Sequence, residues 1–257
     1  MTEQAPTQSV VVGIDGSQAA LDAATWAVAE AVSRGVPLRL VHVSPATHAH
    51  RPPAGDRPWD VERAETALYR AEMAIKDTGK QVQVETVIRR GRPDCVLIDE
   101  SREASLVCVG SEGKGPCERM PLGSTAAALA QHAHCPVAIV RSGGAPQTGS
   151  GWIAAVQNDD ADNDAVVHRA MEEGRLRKAP VLLIDMRLDS WVRRYPDVHV
   201  HTVAARQGAM RRDDNCSNSI QLAVVGSADA EHIAQLVWPD YHPVLGDANR
   251  SVLLVRR

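Results

Sequence analysis

The chain has no phenylalanine, and aromatic residues make up only 3% of its 257 positions. A core must therefore be built from Val, Leu, Ile and Ala, which suits buried parallel strands under Ala-rich helices and argues against aromatic platforms for single-stranded nucleic acid. There is no excess of positive charge: 28 Lys and Arg face 32 Asp and Glu, for a net charge of -4. This excludes a global basic field that would hold nucleic acid or an anionic membrane. No apolar run approaches the roughly 18–20 residues of a membrane span, and Met1 to Ser9 lacks a signal-peptide core. The five cysteines (Cys95, Cys108, Cys117, Cys135, Cys216) include no Cys-x-x-Cys pair. Reduced thiols in a cytoplasm are thus expected, rather than a disulfide framework or a zinc site.

The apolar residues are arranged in short runs. Val10-Val11-Val12 ends in Gly13-Ile14-Asp15-Gly16-Ser17 and reads as a buried strand, with Ser17 capping a helix over 18–34 that Gly35 stops. Strands are expected at 37–43, 82–88, 106–109 and 136–140, with helices at 60–79, 94–103 and 124–132. Residues 44–58 carry four prolines and read as a long loop. Alternation of this kind predicts an α/β fold with a doubly wound parallel sheet.

Residues 141–151 have linker composition, and the pattern then repeats. Asp15 and Pro37 recur as Asn158 and Pro180, 143 positions later, whereas Val84, Leu106 and Ser111 recur as Val200, Leu222 and Ser227 at a spacing of 116. The difference, 27 residues, falls between strands two and three of the second copy. Two tandem domains are expected, 1–142 and a trimmed 152–257.

Ligands of doubly wound sheets sit beyond the carboxyl ends of the strands, where strand order reverses. Two loops fall there: Gly13 to Ser17, and Gly110-x2-Gly113-x9-Gly123-Ser124-Thr125. Glycines let backbone N–H groups approach phosphate oxygens, and the second loop opens a helix whose amino end favours anions. No Walker A loop or dinucleotide fingerprint is present, and no Ser/His/Asp set, Walker lysine or water-positioning carboxylate is placed by motif.

Val-Val-Val-Gly-Ile-Asp-Gly-Ser, together with Val-Gly-x2-Gly-x9-Gly-Ser, resembles the universal stress protein family, strongly over 8–142 and weakly over 152–257. The glycine spacing is that of the family's ATP-binding branch. The resemblance implies two Rossmann-like domains and ATP as a regulatory ligand of a stress response, with at most slow hydrolysis. It implies that Asp15 lies near the ribose or a nucleotide-bound divalent cation such as Mg2+, with Gly13 and Ile14 flanking the base. Val43 would contact adenine through its backbone, and Val109 and Gly110 would line the ribose. Gly113, Gly123, Ser124 and Thr125 would hold phosphates. The resemblance also implies pairing through the last strand, either as a homodimer or as an intramolecular pseudo-dimer with Val137–Val140 against Val252–Val255. Two alternatives stay open: another adenine nucleotide such as cyclic AMP, and a scaffold for a protein partner that binds no nucleotide.

The pattern departs at Glu112 and at Gly115-Pro116-Cys117, with Lys114 and Arg119 available to offset charge. The second copy loses the cradle, since Gly113 becomes Asp229 and Gly123 falls near Trp238-Pro239-Asp240. His48 and His50, and His199 and His201 on one strand face, read as solvated histidines. Cys117 reads as an ordinary thiol, and Trp191 to Tyr195 as either an exposed contact or a packed helix end.

Overall fold

A computed structural model describes residues 8–45, 59–112, 122–142, 151–156, 162–184, 194–203, 220–237 and 250–256. The chain divides into two compact units, Met1–Gly143 and Gly144–Arg257.

The first unit comprises β1 (Ser9–Gly13), α1 (Gln18–Arg34), β2 (Leu38–Ser44), α2 (Trp59–Asp77), β3 (Val84–Arg90), α3 (Pro93–Glu100), β4 (Ala104–Gly110), α4 (Ser124–His132) and β5 (Val137–Val140). Its strands lie in the order β3-β2-β1-β4-β5, and every pair is parallel. Helix α1 begins where Ser17 Oγ accepts the Ala20 N–H at 3.2 Å and ends at Gly35, whose φ of 65° is a left-handed conformation that glycine adopts without strain. Its buried face is mostly alanine, so the helix axis lies close to the sheet.

The second unit comprises β6 (Trp152–Val156), α5 (Asn163–Arg177), β7 (Val181–Ile184), β8 (Val200–Val203) and β9 (Ile220–Val225). A 3-10 turn (Ser227–His232), α6 (Ile233–Val237) and β10 (Ser251–Leu254) complete it. Its parallel order, β8-β7-β6-β9-β10, reproduces that of the first unit strand for strand. Both sheets bury aliphatic residues: Val10, Leu38, Leu106 and Ile139 in one, and Ile153, Leu183, Leu222 and Leu253 in the other, are at most 1% exposed. Each such side chain contributes about 1.5–3 kcal/mol. No described helix is long and apolar enough to cross a membrane, and Cys95, Cys108 and Cys135 are not in disulfides.

Candidate functional site

In the first unit the strand order reverses between neighbouring β1 and β4, so the loops after these two strands flank the crevice where ligands of such sheets bind. The loop after β1 is fixed by its own backbone. The Ile14 N–H donates to the Val41 carbonyl at 2.9 Å, and the Ser17 N–H donates to Asp15 Oδ1 at 2.8 Å. Between them Gly16 adopts φ 81°, which an L side chain would strain. Asp15 is exposed, while the Ile14 side chain is 2% exposed and packs into the core. Ile14 therefore offers a ligand its backbone.

After β4 the chain is pinned at two points. The Ser111 N–H donates to the Val140 carbonyl at 2.8 Å, and the Gly123 N–H donates to the Ser111 carbonyl at 2.8 Å. The second bond draws the amino end of α4 against the end of β4. Gly123 is the N-cap, with φ -63° and ψ 146°, and α4 carries no acidic residue in its first turn. Ser124 is exposed and Thr125 half-buried in that turn. The arrangement presents unshared N–H groups and hydroxyls, the chemistry that receives an anion. The Ser111 hydroxyl is buried without a hydrogen-bond partner among the described residues, a cost that folding seldom leaves unmet.

The other expected residues divide by cause. Val43 is half-buried near the end of β2, and Val109 is buried in β4. A Cβ on Gly13 would lie 2.8 Å from Leu97 Cδ1, and one on Gly110 would lie 2.6 Å from Ala19 Cβ. Helix packing thus accounts for Gly110, whose obstruction includes Ala19 backbone, while at Gly13 it is the end of a leucine side chain. Glu112 is exposed. Gly113, Lys114, Gly115, Pro116, Cys117 and Arg119 lie outside the described residues, as do His48, His50, Asn158, Trp191, Cys216 and Trp238-Pro239-Asp240.

The second unit shows the same position occupied. Gly226 leads directly into the 3-10 turn at Ser227, whereas in the first unit α4 begins only at Ser124. Ser227, the counterpart of Ser111, donates to Asp162 Oδ2 at 2.5 Å. Asp162 stands 143 positions after Ala19, so a carboxylate replaces a methyl beside the strand end. Tyr195 is buried against α5, with its hydroxyl bonded to His168 Nδ1.

Sequence reading missed the ionic networks. Glu30 is fully buried, with Arg34 Nη2 at 3.1 Å from its Oε2. Both residues recur 143 positions later as Glu173 and Arg177, at 2.8 Å, with Arg169 Nη2 a further 2.8 Å from Glu173. The repeat spacing was the signal that would have revealed them. A groove of about 740 Å³ at the opposite ends of the strands is lined by Arg39, Glu85, Arg89 and Glu100. Glu100 takes both arginines at 3.0 Å, and Arg39 also reaches Glu85 at 3.4 Å. These groups neutralise one another within the groove.

Residues 6–141 match the model of the universal stress protein family. A universal stress protein of Mycobacterium tuberculosis is 42% identical over 97% of both chains, and another from that organism is 36% identical over 99% of this chain and 98% of its own. Among solved structures, a universal stress protein from Archaeoglobus fulgidus has a TM-score of 0.62 at 16% identity, covering 97% of this chain and 96% of its own. The chain belongs to the universal stress protein family.

Proposed function

We propose that the first domain, residues 1–142, binds one adenine nucleotide, ATP with its Mg2+, as a regulatory ligand in a stress response, and that the second, 152–257, binds none. The observation that carries this reading is Gly123. Its φ of -63° is open to any residue, so backbone torsion does not require a glycine there, and a glycine lets a ligand approach the helix N-terminus closely. The buried Ser111 hydroxyl beside it, without a partner among the described residues, fits an acceptor oxygen supplied by the ligand.

In this reading Gly113 and Gly123, with the hydroxyls of Ser124 and Thr125, hold the phosphates. Asp15 takes a ribose hydroxyl or the divalent cation, since a bare carboxylate repels phosphate. Gly13, Ile14 and Val43 border the base, the latter two through their backbone, and Val109 and Gly110 border the ribose. In the second domain Asp162 already accepts the equivalent serine hydroxyl and sets a negative charge where an anion would enter.

Mass spectrometry of ligand released from protein purified without added nucleotide tests the reading. Recovery of ATP supports it, and recovery of cyclic AMP replaces the ligand but keeps the site. Protein that is empty and shows no thermal shift on addition of ATP overturns it and favours a scaffold.

A further inference from the structure

The sheet of the second unit carries a pair of imidazoles that the nucleotide reading does not use. His199 and His201 are both exposed, and their ring centroids lie 5.5 Å apart with planes inclined by 52°. Alternation along an extended chain puts residues two apart on one face. The His199 carbonyl accepts the Val181 N–H at 2.8 Å, and His201 stands in register with Leu182, so β7 anchors the pair from the side. Trp152, at the start of β6, meets the His201 ring edge-on, with centroids 4.8 Å apart and planes at 82°. That contact restricts one of the two rings before any ligand arrives.

The repeat shows what these positions replace. His201 stands where the first unit has Glu85, and Leu182 where it has Arg39. Glu85 is neutralised by Arg39. In the second unit that ion pair is exchanged for a leucine in register with a histidine, and His199 takes the position of Gln83. The exchange leaves two imidazole rings side by side, one of them in register with an apolar residue.

We propose that His199 and His201 chelate one divalent transition-metal ion that favours imidazole, with copper(II) held more tightly than zinc. Metal–nitrogen bonds of about 2 Å, at angles between square-planar and tetrahedral, set two imidazole centroids roughly 4.5–5.2 Å apart. The observed separation of 5.5 Å lies just outside that interval, so the two exposed rings turn slightly toward each other on binding. No group of three or more His, Cys, Asp or Glu gathers among the described residues. The described residues thus supply two ligands and water completes the shell, the arrangement of an exchangeable site rather than a structural one.

The full chain, freed of metal with a chelator, is titrated with copper(II) at about pH 7.5. Tryptophan fluorescence should fall saturably at one ion per chain, and Trp152→Phe should remove that component. Outer-shell partners alone are worth about tenfold in affinity, so His199→Gln and His201→Gln should each raise the midpoint by at least that factor. Either histidine variant keeping the wild-type midpoint overturns the proposal. In unmutated protein, copper(II) should protect both histidines from carbethoxylation, mapped by peptide mass spectrometry; both remaining modified at the metal-free rate overturns it equally.

Discussion

Gly110 and Ala19 touch so closely that a Cβ on the glycine would lie 2.6 Å from the alanine Cβ and 2.7 Å from its carbonyl carbon. The obstruction includes backbone, so neither side can swing away. Gly110→Ala must push the first turn of α1 off the end of β4, at a cost of about 1–3 kcal/mol. Urea unfolding should show this loss with an unchanged m-value.

Glu173 is 1% exposed in its side chain and lies between Arg169 and Arg177. Removing it leaves Arg177, itself 4% exposed, without its closest counter-charge. Glu173→Ala should therefore destabilise the chain by about 3 kcal/mol, measured by the same unfolding.

The Glu100 carboxyl is pushed up by burial, but hydrogen bonds from Arg39 and Arg89 outweigh this and hold it below the ordinary glutamate value. A lowered folded-state value stabilises the fold above the unfolded-state pKa, about 4.3, and that contribution is lost as pH falls through the folded value. Glu100→Gln should cost about 1–2 kcal/mol at neutral pH and flatten this part of the acid limb of a stability–pH profile. A variant with an acid limb as steep as wild type would contradict the assignment.

The elements that could be read from sequence are those whose signals are local. Ser17 and Gly35 delimit α1 at 18–34 because a cap bonds within its own turn. The helix expected over 94–103 instead runs Pro93–Glu100, since beyond Ser101 the N–H groups of Arg102 and Glu103 reach back only three residues, and the Ser101 hydroxyl donates to the Ile98 carbonyl and accepts the His134 N–H from 33 residues further on. The strand expected at 82–88 is found at Val84–Arg90, set by pairing with β2 rather than by any punctuation of its own. At the candidate site, sequence marked every glycine alike. Structure separates Gly16, required by its positive φ, and Gly110, required by Ala19, from Gly123, which neither backbone torsion nor a described contact explains. The Glu100 network spans 61 residues to Arg39 and has no sequence signature.

Gly123→Glu places a carboxylate at the N-cap of α4, in a backbone conformation any residue adopts, so the fold should persist while phosphate is repelled. The thermal midpoint without ligand should stay near wild type, and the shift on adding ATP should vanish.

Binding stoichiometry tests the central claim most directly. Equilibrium dialysis of the full chain against ATP and Mg2+ should give one nucleotide per chain for wild type and none for Gly123→Glu. Two nucleotides per chain, or one retained by the variant, would contradict a single site built on β1, β4 and the amino end of α4.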